Sequence, residues 1–89
     1  MGGIVMDFGE TRHIRLKVIN TKGQDFKITK CDYELQSPDG KIEARGQTDI
    51  LEHILDVVIT PKMRGEYQLK YIYYIADEIL IERVGLTVM

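Results

Sequence analysis

Arg64-Gly65-Glu66-Tyr67-Gln68-Leu69-Lys70-Tyr71-Ile72-Tyr73-Tyr74-Ile75 carries the clearest conformational signal in this 89-residue sequence. Tyr67, Leu69, Tyr71, Tyr73 and Ile75 recur at every second position, the period of a strand with one face against a core. β-Branched and aromatic residues fill the stretch, and Arg64-Gly65 punctuates its start. A central strand is expected here.

The segment Ile79 to Met89 is expected to be the last strand, pairing with it through the loop Ile75-Ala76-Asp77-Glu78. That register sets Tyr73 opposite Leu80, Leu69 opposite Val84 and Tyr67 opposite Leu86, so all six share one core-facing side. The other side then carries Ile72, Tyr74, Ile79 and Ile81, with Ile72 opposing Ile81 and Tyr74 opposing Ile79. A contiguous patch of large apolar residues on a solvent-facing sheet marks a contact surface, unless a loop, the N-terminal segment or a shifted register covers it.

Upstream, the same period-two signal repeats in shorter runs. Ile4, Met6 and Phe8 alternate before Gly9 and suit a short first strand. Ile14-Arg15-Leu16-Lys17-Val18 is a second, with Ile14, Leu16 and Val18 on the core side and His13, Arg15 and Lys17 on the other. Asn20-Thr21-Lys22-Gly23 ends it with turn residues. Phe26 and Ile28 keep one parity while Cys31, Tyr33 and Leu35 keep the other. Parity cannot flip inside a regular strand, so a bulge or corner is expected at Thr29-Lys30. Ser37-Pro38-Asp39-Gly40 is a tight-turn sequence, after which Ile42 and Ala44 restart the alternation and Gly46 weakens it.

Thr48 to Thr60 fits two periods. Asp49-Ile50-Leu51-Glu52 matches a capping box, and Ile50, Ile54, Leu55 and Val58 share a helical face. Against this, Val57-Val58-Ile59-Thr60 is four β-branched residues in a row, and Leu55, Val57 and Ile59 alternate. A strand is expected, with its turn near Asp49 to Glu52. Pro61 to Gly65 then connects to the long central strand. Seven strand-like runs at short, regular spacing predict an all-β sandwich of antiparallel strands. Eighty-nine residues leave room for one domain, residues 1–89, with a single core.

At Pro61-Lys62-Met63-Arg64-Gly65-Glu66-Tyr67 the chain resembles immunoglobulin-like and fibronectin type III domains. In those domains a Gly-x-Tyr just inside the penultimate strand forms a tyrosine corner, its hydroxyl bonding back to the preceding connection. Gly65 and Tyr67 match that motif, and the order of strands matches along nearly the whole chain. The sequence departs from antibody domains in having no tryptophan and a single cysteine. It looks like the small, cysteine-poor immunoglobulin-like modules of bacteria and phages. The resemblance implies a structural or protein-interaction role in a larger assembly, such as a phage or prophage particle. A chain that starts at Met1 and is little more than one module is expected to be a stand-alone structural protein.

Composition and motifs narrow the chemistry. A hydrophobic fraction of 44% with 29% charged residues is that of an ordinary folded domain. The formal charge of -2 does not favour nucleic acid, and the early basic residues Arg12 to Lys30 are interleaved with acids. No apolar run reaches the length of a membrane span, and the N-terminus does not read as a secretory signal. A cytoplasmic or virion-associated location is expected. Ser37, the only serine, sits in a turn that it is expected to cap. Cys31 is expected to be a buried structural thiol, with neighbouring Asp32 disfavouring its thiolate. His13 and His53 lie far apart with no ligand spacing and read as surface residues. Asp77-Glu78 supply too few oxygens for calcium. No catalytic, cofactor or metal site is expected.

Two roles follow. The first is a non-enzymatic interaction module that meets a copy of itself or another protein through Ile72, Tyr74, Ile79 and Ile81, aided by strand-edge pairing. The second is a carbohydrate- or ligand-binding module using Tyr71, Tyr73 and Tyr74 as platforms. Strand parity opposes the second, because it turns Tyr71 and Tyr73 inward.

Overall fold

The computed structural model describes residues 3–19 and 26–89. The turn expected at Asn20 to Gly23 lies outside the described residues. Among the described residues eight strands follow one another: β1 Ile4–Met6, β2 Arg12–Lys17, β3 Ile28–Gln36, β4 Ile42–Gln47, β5 Asp49–Leu51, β6 Ile54–Ile59, β7 Gly65–Ile75 and β8 Glu78–Val88. They form a five-stranded sheet in the order β1-β8-β7-β3-β4 and a three-stranded sheet in the order β2-β6-β5. The two sheets bury a shared apolar interior, and the architecture is an all-β sandwich. All pairings are antiparallel except β1 with β8.

The strand count is eight where seven were expected, because Thr48 to Thr60 holds a hairpin. Asp49–Leu51 is itself a strand, and Leu51 pairs with Ile54 around the two-residue loop Glu52-His53. The turn therefore falls later and is shorter than Asp49 to Glu52. Glu52 takes a positive φ of 59° with no Gly, Asn or Asp to announce it. The choice of strand over helix holds, since Leu55, Val57 and Ile59 all point inward.

The β7–β8 hairpin has the register read from the alternation: Tyr73 pairs with Leu80, Leu69 with Val84 and Tyr67 with Leu86. The parity flip before Cys31 is also present, as a register shift between Ile28 and Lys30 where β3 meets β7. Ser37 to Gly40 makes the tight turn, with the Gly40 amide donating to the Ser37 carbonyl. The buried Ser37 hydroxyl caps it, donating to the Asp39 carboxylate. At the edges the expectations fail in small ways. Phe8 is exposed beyond the end of β1, and Ile42 is exposed at the start of β4.

Leu35, Leu55, Leu69, Tyr71 and Leu86 form the centre of the core with almost no solvent exposure. Tyr71 also ties the sheets together, its hydroxyl donating to the Ile14 carbonyl on β2 at 2.9 Å. A phenol this deep needs such an acceptor, since an unpaired buried hydroxyl is costly.

Tyr67 closes the opposite end of the sandwich. Its ring is 3% exposed, and its hydroxyl accepts from the amides of Lys62 and Met63 at 3.2 and 3.1 Å. The same hydroxyl donates to Glu43 on β4 at 2.6 Å, so a carboxylate from a different strand joins the corner. Tyr67→Phe removes this whole set. Because one partner is charged, the expected loss is roughly 2 kcal/mol, read as a lower urea midpoint with an unchanged slope. An unchanged midpoint would show that the corner contributes nothing to stability.

Candidate interaction surface

Residues that point away from the core on the large sheet fall into rows across β3, β7 and β8. The rows are Lys30, Tyr74 and Ile79; Asp32, Ile72 and Ile81; Glu34, Lys70 and Arg83; and Gln36, Gln68 and Gly85. The first two rows hold Ile72, Tyr74, Ile79 and Ile81 together at the hairpin end. Ile79 is 62% exposed and Ile81 49%, while Ile72 and Tyr74 are half-buried by their neighbours. The four do form one patch, and no described segment covers it.

Charged residues border that patch. The Lys30 ammonium lies 5.6 Å from the Tyr74 ring centroid and 3.7 Å from the Asp32 carboxylate. One row further on, Lys70 pairs with Glu34 at 3.1 Å. These pairs, partly open to solvent, contribute modestly to stability, but they make an apolar centre with a polar rim, the layout of protein interfaces. A depression beside the patch is lined mainly by polar side chains, among them Glu34, Gln68 and Lys70, together with Ile42.

Other candidate groups are absorbed by structure. Cys31 is buried, and desolvation, with Asp32 adding to it, pushes its thiol above the ordinary range against the opposing Thr48 hydroxyl. Such a thiol is a poor nucleophile. Tyr71 and Tyr73 point into the core, leaving Tyr74 as the outward member of the three proposed platforms. Asp77 and Glu78 are exposed at the hairpin tip, with no cluster of metal-ligating groups among the described residues. No helix among them is long and apolar enough to cross a membrane.

Of the two histidines expected at the surface, His13 is there and His53 is not. His53 is half-buried, not a surface residue: its ring stacks on Phe26 at 4.0 Å, and its Nε2 lies 3.0 Å from the Phe26 carbonyl. His13 is exposed, yet its Nδ1 is 3.0 Å from the carboxylate of Asp56. Asp56 is the one charged residue of the small sheet that is buried, held between His13 and Arg15 on the outer face. The pairing of β2 with β6 produces this cluster from residues far apart in sequence, and no spacing rule points to it. Two ligating side chains are too few for a structural metal site.

No family model matches the sequence, and no curated protein matches it.

Proposed function

We propose that the chain is a non-enzymatic, immunoglobulin-like structural or interaction module, a component of a larger assembly of the phage or prophage kind. Its contact surface is the outer face of the β7–β8 hairpin. The immunoglobulin-like assignment is supported by the division of strands between the sheets and by the Tyr67 corner at the start of the penultimate strand. The fold alone names no function.

The observation that carries the interaction role is the cross-strand apolar patch of Ile72, Tyr74, Ile79 and Ile81, whose neighbouring rows across β3, β7 and β8 are polar. An antiparallel sheet with one wet face has no folding reason to place two such pairs there. Ile72→Lys with Ile81→Glu keeps the cross-strand neighbours complementary while making the face polar. The double variant is expected to fold with native stability and to lose concentration-dependent association in sedimentation or light scattering, because a few central anchors carry most binding energy. A folded variant whose association equals that of the unaltered chain would remove the patch as a contact surface. A ligand-binding role has less support, since only Tyr74 of the three tyrosines faces outward.

A further inference from the structure

We propose that a second copy of the chain joins this one edge to edge through β8 about a two-fold axis at Ile81, meeting the Ile79 and Ile81 side of the surface while Ile72 and Tyr74, one strand in on β7, stay on the face of the joined sheet. The inference rests on the contact-surface reading above and names its occupant.

β8 pairs with β7 along its whole length. On its other side β1 meets only Leu86, Thr87 and Val88. Among the described residues nothing pairs with Glu78 to Val84 on that side. The remaining sheet edges are guarded. β2 carries Arg12, His13, Arg15 and Lys17, β4 carries Glu43 and Arg45, and β1 and β5 are each three residues long. Charge and brevity are the usual defences of an edge; β8 carries charges too, at Glu78, Glu82 and Arg83, but between them it offers the uncharged run Ile79-Leu80-Ile81 with both isoleucines exposed.

The unused hydrogen-bonding groups can be assigned from the hairpin. Ile75 and Glu78 close a two-residue loop, so they form a hydrogen-bonded pair. Alternation then turns the N–H and C=O groups of Leu80, Glu82 and Val84 toward β7. Those of Ile79, Ile81 and Arg83 face the open edge.

Overlap and side-chain charge select the register: centring on Ile79 would pair only Glu78 to Leu80 within each strand, and centring on Val84 would need Leu86 to Val88, which β1 already pairs. An antiparallel pairing about a two-fold axis keeps core and outer faces aligned only when centred on a residue, not between two. Centring on Leu80 sets Glu78 directly against the second copy's Glu82. Centring on Glu82 or Arg83 sets a charge against itself, which is unfavourable for directly opposed cross-strand pairs. Centring on Ile81 opposes Ile81 with Ile81, Ile79 with Arg83, Leu80 with Glu82 and Glu78 with Val84. No like charges then stand directly opposite, Glu82 meets its counterpart and the other copy's Glu78 only diagonally, and Arg83 lies diagonal to the other copy's Asp77. The three open-edge residues of each copy exchange backbone hydrogen bonds, and Ile81 is covered by its own symmetry mate.

Single cysteines at Ile79, Ile81 and Arg83, each in the full chain, test the register with a short thiol–thiol cross-linker. Cys31 is 2% exposed and out of reach. At the axis the opposed Cα atoms lie about 5.5 Å apart. Cysteines at 79 or 83 are offset from their own copies by four residues, roughly 14 Å along the strand. The expected result is a mass that rises toward a dimer with concentration, and Ile81→Cys cross-linking about tenfold faster than either neighbour. Equal rates, or faster reaction at 79 or 83, would overturn the β8 pairing. If association is still abolished by Ile72→Lys with Ile81→Glu, the contact surface survives and only the edge register fails. A chain that stays monomeric at every concentration overturns the second-copy partner.

Discussion

Gly65→Ala is expected to be the most damaging small substitution in the chain, lowering stability by roughly 3–5 kcal/mol. Two separate effects add. Gly65 has φ of +126°, a region that residues with a side chain scarcely enter. A Cβ on it would also lie 2.9 Å from Cγ of Pro38 and 3.1 Å from its Cβ. Neither atom can swing aside, because both belong to a ring in the tight turn after β3. The clash must therefore move either that turn or the start of β7, and Tyr67 begins its corner two residues on. Thermal or urea unfolding of the variant measures the loss. A loss under about 1 kcal/mol would mean that the backbone relaxes out of its positive φ without penalty.

Alkaline pH is expected to unfold the protein, through three tyrosines acting together. Burial, the largest cause in each case, raises the phenols of Tyr67, Tyr71 and Tyr73 above their ordinary value of 10.0. Glu43 adds to the effect at Tyr67, and Glu82 at Tyr73. The folded chain thus keeps protons that the unfolded chain gives up. The stability they contribute is whole below pH 10 and is lost as pH rises through and beyond it. While a phenol is neutral only in the folded state, the loss is about 1.4 kcal/mol per pH unit for each. Circular dichroism followed with phenolate absorbance should show loss of β structure coinciding with ionisation of these three. Reversible ionisation of all three near pH 10, with the fold intact, would contradict it. Tyr71→Phe should shift the alkaline midpoint upward relative to its own stability at neutral pH.

The long hairpin was legible because its alternation is deep enough to tolerate only one register. A slip of one residue would expose Tyr67, Leu69, Tyr71 and Tyr73 together. The bulge before Cys31 was legible for the same reason, as a break in parity. The outward patch followed once that register was set, although whether neighbouring segments cover it depends on the folded chain. Features that depend on pairing between distant strands left no local trace. Glu43 reaches Tyr67 across 24 positions, and His53 reaches Phe26 across 27. Asp56 has outward parity, which predicts exposure, yet it sits mid-sheet where His13 and Arg15 lie over it. The Glu52-His53 loop was missed because its positive φ falls on a glutamate, a residue that ordinarily signals no turn.

The parallel contact between β1 and β8 sets an order in time. Ile4 meets Leu86, and the amide of Met89 donates to the Met6 carbonyl, so the earliest strand is completed by the latest. The β7–β8 hairpin closes around two residues and can form as soon as both arms exist, whereas β1 must close a loop that spans nearly the whole chain. Pairings of such long range are the slow step of β-rich domains. On the ribosome β1 therefore emerges before β8 and waits, without that partner, until β8 has been made. From the making of β8 until β1 docks, β8's other edge is bare along its full length, from Glu78 to Val88, and the event within the chain that shortens it is the slow arrival of β1.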